Sequence, residues 1–199
     1  MSRQRIAVFL DRDGTINEEV DYLRTPDQVR LISGAGAAVR RLNEAGILTC
    51  VISNQSGVAR GFLKEEDLVP IHAALERQLL LEGARVDRIY YCPHHPTEGK
   101  PPYKTECDCR KPKPGMLRQA AEEYNVDLRG SFVVGDRIVD VQTGISVGAT
   151  TILVLTGYGR ASRGECEREG VAPDRIVEAI DEAVEFIVKK VKGENEKTP

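Results

Sequence analysis

Five short apolar runs, separated by stretches with helical spacing, constrain this chain more than any other feature. The runs are "IAVFL" (6–10), "ILTCVISN" (47–54), "VDRIYYC" (86–92), "SFVVGD" (131–136) and "TTILVL" (150–155). The first two are too short for a packed helix and too continuously apolar for a strand with one wet face, so they read as buried strands, and the other three read as a third, fourth and fifth strand. Between them the apolar spacing becomes helical. Ala38, Val39 and Leu42 mark a helix in 34–46, and Leu68, Ile71, His72, Leu75, Leu79 and Leu80 mark one side of a helix in 64–82. Further helices are predicted over 113–125, with Pro114 in the first turn, over 139–148, and over about 175–191, with the last residues fraying. Strands alternating with helices imply right-handed crossovers. The expected fold is α/β, a doubly wound and mostly parallel sheet covered on both faces. At 199 residues the chain is expected to form one domain.

Ligands of such sheets bind beyond the carboxyl ends of the strands. Asp11, Ser53 and Asp136 each follow an apolar run, so all three belong to that edge. "DRDG" at 11–14 raises a sharper question, because two carboxylates leaving a hydrophobic core cost free energy unless a cation, a hydrogen bond or a chemical task holds them there. The net charge of −3 and the absence of tryptophan argue against a nucleic-acid surface. No apolar run approaches the roughly 20 residues of a membrane span, and "MSRQR" leads directly into a strand rather than a leader. A cytoplasmic location, without membrane or nucleic-acid partners, is the expectation.

Of the five cysteines, three cluster with histidines in "CPHH" (92–95) and "CDC" (107–109). Three thiolates and one imidazole make a closed, soft tetrahedral set suited to structural Zn²⁺. The intervening loop holds three prolines and a glycine and has too little apolar material for its own core, so a metal would keep it closed. Spacing alone does not choose between His94 and His95. Cys50 reads as core, Cys166 lies in a charged segment without an evident partner, and His72 reads as a core histidine.

Together, "DRDGTIN", "NQSGVARG", "YYCPHHP", "CDCRKPKPGM" and "VGD" resemble the haloacid dehalogenase (HAD) superfamily of phosphohydrolases. Within it they resemble the bacterial D-glycero-D-manno-heptose 1,7-bisphosphate phosphatases, from about residue 6 to about 160. The resemblance implies hydrolysis of the C7 phosphate of the heptose bisphosphate through an aspartyl-phosphate intermediate. It implies that Asp11 is the nucleophile, that Asp13 is the acid and then the base, and that Ser53 and Lys111 hold the transferring phosphoryl group. It places Mg²⁺ on Asp11, the backbone carbonyl of Asp13, and Asp136, with Asp140 either supporting them or merely solvated. It favours His94, beside Cys92, Cys107 and Cys109, for Zn²⁺. The implied substrate wall comprises Asp11, Arg12 and Asp13, then Glu19, Val20, Asp21 and Tyr22, then Ser53, Asn54, Gln55 and Ser56, and finally Arg110, Lys111 and Arg137. Arg137 departs from the lysine common in the family. It keeps the charge and brings a wider fork, which bears on fine substrate preference rather than on reaction class.

Only about forty residues separate Asp11 from Ser53, and a helix and a strand use many of them. No separate cap domain fits, so residues 92–109 are the expected partial lid. A monomer acting on a small phosphorylated sugar is expected, with the C1 anomer left open. The alternatives are a histidinol-phosphate phosphatase and, outside enzymes, a zinc-stabilised phosphate-binding protein.

Overall fold

The computed structural model describes residues 4–195. Six parallel strands form one sheet: β1 (Ala7–Leu10), β2 (Leu48–Asn54), β3 (Arg88–Cys92), β4 (Phe132–Gly135), β5 (Thr150–Val154) and β6 (Arg175–Val177). Their order is β3-β2-β1-β4-β5-β6. The chain builds outward from β1 to β3, returns to lay β4 beside β1, and then builds the other way. The crevice of a doubly wound sheet therefore opens between the carboxyl ends of β1 and β4.

The two-residue period of the strands sorts the core. Val8 and Leu10 pack on one face with α1 (Ala35–Glu44), α2 (Leu68–Leu81) and α6 (Ile180–Asn195). Ala7 and Phe9 pack on the other with Met116, Leu117 and Ala120 of α3 (Gly115–Tyr124). Helices α4 (Ile138–Val147) and α5 (Gly159–Glu169) enclose Ile138, Val141, Leu153 and Cys166. All four residues of β1 are buried, as a strand covered on both sides requires.

The structure corrects several boundaries. Residues 175–177 form the sheet's sixth strand, so the last helix starts at Ile180 and runs to Asn195; the end of the predicted frayed tail lies outside the described residues. Strand β6 has three residues, of which only Val177 is buried, so it lacks a readable period. Helix α5 was not predicted, because in a charged segment it buries only Gly159, Ser162 and Cys166. Leu80 turns out to solvent from α2, while Cys166 lies in the interior.

Candidate active site

Strand β1 delivers Asp11 to the crevice, where its Oδ1 accepts a hydrogen bond from the Arg12 backbone at 2.8 Å and meets Lys111 Nζ at 2.9 Å. Lys111 is 3% exposed, so it must be paired. Its ammonium also lies 2.6 Å from Asp140 Oδ1 and donates to the Ile52 carbonyl at 2.9 Å. Burial works against its charge, but the Asp11 and Asp140 carboxylates outweigh burial and hold its pKa above the ordinary lysine value. Asn54 anchors the lysine's backbone, accepting from Lys111 N at 3.0 Å and donating to Lys111 O at 3.1 Å.

Asp136, at the end of β4, is fully buried. Its Oδ2 accepts from Tyr158 N at 2.7 Å, and its Oδ1 has no hydrogen-bond partner. Gly14, at φ +77°, makes the close approach to Asp136 possible, since a Cβ there would fall inside the carboxylate. Asp11, Asp136 and Asp140 bring ligand oxygens within 4.8 Å of one another. Desolvation, opposed by Lys111, leaves Asp11 raised to about 6; desolvation followed by the Asp11 and Asp140 charges raises Asp136 to about 8. An orphaned carboxylate oxygen among hard oxygen donors, with one buried cation for three acids, fits a divalent cation such as Mg²⁺.

The Asp13 carboxylate points elsewhere. Arg12 grips it through Nε at 3.0 and 3.1 Å and through NH2 at 2.6 Å, and Asn17 Nδ2 adds a bond at 3.2 Å. Arg12 NH2 also donates to Gln55 Oε1 at 3.0 Å, and Gln55 Nε2 donates to Ser53 Oγ at 2.6 Å. One hydrogen-bonded chain thus links Asp13, Arg12, Gln55 and Ser53. The Arg12 side chain is 1% exposed and pairs with Asp13 and Gln55 rather than lining the cavity.

The cavity above these groups has a volume of about 690 Å³. Its walls include Asp11, Asp13, Glu19, Val20, Asp21, Tyr22, Ser53, Asn54, Gln55, Ser56, Arg110, Lys111 and Arg137, and thus every expected wall residue except Arg12. Burial, reinforced by the Asp13 charge and opposed by Arg137, pushes Glu19 up to about 7. Tyr158 was missed: the Arg137 guanidinium stacks 3.9 Å from its ring centroid, and its hydroxyl donates to Asp21 at 3.2 Å. An aromatic residue just beyond an apolar strand was the available signal. Arg60 and the α5 residues Glu165 and Arg168 also line the cavity and carried no such signal.

In the loop beside the cavity, Cys107 Sγ lies 3.5 Å from Cys92 Sγ and 3.2 Å from Cys109 Sγ, while His94 Nδ1 lies 3.4 Å from Cys109 Sγ and 3.7 Å from Cys92 Sγ. All four thiol and imidazole donors fall within 4.8 Å, and the cysteines are free. Hydrogen bonding from Cys92 is the largest influence holding the Cys109 thiol down to about 5, which favours the ligating thiolate. The donor set and spacing fit Zn²⁺. His95 is turned away, its Nδ1 accepting from the backbone N–H groups of Glu98 at 3.0 Å and Thr97 at 3.3 Å. Tyr103 ties the loop to the body through a 2.7 Å bond to Glu65, and Arg110 donates to the His94 carbonyl at 3.1 Å. His72 is only partly buried and stacks on Tyr91; burial lowers it to about 4.

Residues 108–183 match the HAD-hydrolase-like family model. The chain is 45% identical over 152 residues, 76% of this chain and 82% of the relative, to the D-glycero-beta-D-manno-heptose-1,7-bisphosphate 7-phosphatase of Pasteurella multocida. It is 40% identical over 175 residues, 87% of this chain and 92% of the relative, to the Haemophilus influenzae protein of the same name. Among solved structures, D,D-heptose 1,7-bisphosphate phosphatase from B. bronchiseptica, complexed with magnesium and phosphate, superimposes with a TM-score of 0.82 at 35% identity, covering 93% of this chain and 99% of that one.

Proposed function

Since the chain belongs to the heptose-1,7-bisphosphate 7-phosphatases of the HAD superfamily, we propose how its own residues carry out that reaction. The protein is a phosphoric monoester hydrolase that removes the C7 phosphate of D-glycero-D-manno-heptose 1,7-bisphosphate, giving heptose 1-phosphate and inorganic phosphate. The names of the relatives support the β anomer as substrate.

The observation that carries the assignment of roles is the Asp11–Lys111 contact at the mouth of the sheet crevice. Asp11 Oδ1 is occupied by Lys111 and the Arg12 N–H, so Oδ2 is the oxygen assigned to attack phosphorus. With its pKa near 6, Asp11 is ionised at neutral pH and able to attack. Asp13 gives a proton to the departing C7 oxygen, which closes the aspartyl-phosphate step. It then takes a proton from the water that hydrolyses that intermediate. Arg12 and Asn17 hold its carboxylate in place for both transfers. Because Gln55 donates to Ser53 Oγ, the Ser53 hydroxyl hydrogen is free to bond a phosphoryl oxygen, and Lys111 adds its charge. Mg²⁺ on Asp11, the Asp13 carbonyl and Asp136, with Asp140 beside them, would neutralise charge on the phosphoryl oxygens. Zn²⁺ on Cys92, His94, Cys107 and Cys109 would hold the loop that positions Arg110. Glu19, Asp21, Tyr22, Asn54, Ser56, Arg137 and the backbone near Val20 complete the sugar pocket.

The described residues contain no helix long and apolar enough to cross a membrane. We assign the activity to a single-domain monomer in the cytoplasm. The test compares kcat/KM for the α and β heptose bisphosphates with that for histidinol phosphate, using phosphate release in the presence of Mg²⁺. The β bisphosphate should lead, and a preference for histidinol phosphate would overturn the assignment.

A further inference from the structure

Arg60 lies in the turn that follows β2 and lines the same cavity as Arg110. Both lie against the cysteine- and histidine-bearing loop. Arg110 donates to the carbonyl of His94, while Arg60 NH2 lies 3.4 Å from Nε2 of the next residue, His95. Gly99 is what lets the loop reach this turn. It adopts φ +86°, and a Cβ there would collide with the Ala59 carbonyl. Stacking adds a further restraint, with the Arg60 guanidinium 5.9 Å from the Tyr22 ring centroid.

Arg60 is well placed yet poorly paired. His95 Nδ1 accepts from two backbone N–H groups, so in the neutral ring Nε2 carries the proton and takes no hydrogen from Arg60. Arg60 Nε is buried without a partner, and NH1 reaches only Glu98, at 3.8 Å and about half exposed. Exposed pairs of that length hold a guanidinium weakly. Arg110, in the same cavity wall, makes its one side-chain hydrogen bond among the described residues from NH1 to the His94 carbonyl. Two guanidiniums lining one cavity, with only the half-exposed Glu98, 3.8 Å from Arg60, paired to either among the described residues, form a site for a multiply charged anion, and their planar forks match phosphate oxygens.

We propose that Arg60 joins Arg110 in a two-arginine cradle for the phosphate remote from the reacting one, and that Arg60 is thereby a specificity-determining residue. This rests on the reading of the substrate as a sugar bisphosphate. Lys111 directly follows Arg110, so the cradle borders the reacting site, and the loop that holds the metal also sets both arginines.

The test measures kcat/KM for heptose 1,7-bisphosphate and for heptose 7-phosphate, which lacks the second phosphate, by phosphate release from wild type, Arg60→Ala and Glu98→Gln. In Arg60→Ala the preference for the bisphosphate should fall roughly ten- to a hundredfold, the range for a lost charged hydrogen bond. In Glu98→Gln, which loosens the same tie to the loop but keeps the guanidinium, the preference should persist. If wild type shows no preference for the bisphosphate, the substrate reading itself fails. A clear wild-type preference left unchanged by Arg60→Ala overturns the cradle alone, and an equal loss in Glu98→Gln overturns it by assigning Arg60 to loop anchoring.

Discussion

Replacing Lys111 with methionine removes the one buried ammonium between Asp11 and Asp140 while keeping most of the side-chain volume. The wild-type contacts are 2.9 Å to Asp11, 2.6 Å to Asp140 and 2.9 Å to the Ile52 carbonyl, all in an environment nearly closed to water. Deleting one partner of a buried ion pair costs about 3–5 kcal/mol, because the remaining charge stays desolvated. For a chain of this size each kcal/mol is worth about 2–4 °C, so magnesium-free Lys111→Met should melt about 6–20 °C below wild type at pH 8. The pH dependence has a fixed sign. Asp11 already titrates at about 6 in the folded protein, above its unfolded value of 3.8, and losing the lysine raises it further. A carboxyl with a raised folded pKa favours folding fully only below its unfolded pKa, and that contribution disappears as pH rises through the folded value. The deficit of the variant should therefore shrink on acidification toward pH 5. Added Mg²⁺ should recover more stability in the variant than in wild type, because it supplies positive charge to the same acids. Thermal melts across pH 5–8, with and without Mg²⁺, read all three effects. A melting point within about 2 °C of wild type at pH 8, or a deficit that widens in acid, would refute the reasoning.

Asp13→Asn should slow heptose bisphosphate far more than an aryl phosphate, whose better leaving group needs less protonation; equal slowing in the two kinetic assays would remove the acid from Asp13. Purified protein should carry about one zinc per chain by elemental analysis, and Cys107→Ser or Cys109→Ser should lower both zinc content and melting temperature. Retention of full zinc without both thiols would disprove the site. Gln55→Glu keeps an acceptor for Arg12 but loses the donor to Ser53, so kcat should fall roughly ten- to a hundredfold. Unchanged turnover in that variant would show that Ser53 needs no such orientation.

Much of this protein is determined locally and was therefore readable from its sequence. Short apolar or aromatic runs bounded by turns mark strands, so five of the six strands declared themselves, β3 through its aromatic stretch although it is only partly buried at the sheet edge, and with the helices between them they implied the doubly wound sheet. The placing of Asp11, Ser53 and Asp136 just after strands was enough to put them on the ligand edge. Soft metal donors need short spacing, so the Cys and His cluster was visible as well, up to the choice between His94 and His95. In the structure His94 turns toward the thiols and His95 toward the loop backbone. The tertiary structure also decided who pairs with whom. Lys111 meets Asp140, Gln55 bridges Arg12 and Ser53, the Arg12 side chain is buried against Asp13, and Arg60 lines the same cavity as Arg110. Strand β6 and helix α5 likewise emerge only in the fold, one too short and the other too polar to carry a period. The division follows from the range of the forces involved. Apolar periodicity and turn chemistry act over a few residues of chain, whereas a buried charge takes whatever partner the strand order brings within about 3 Å.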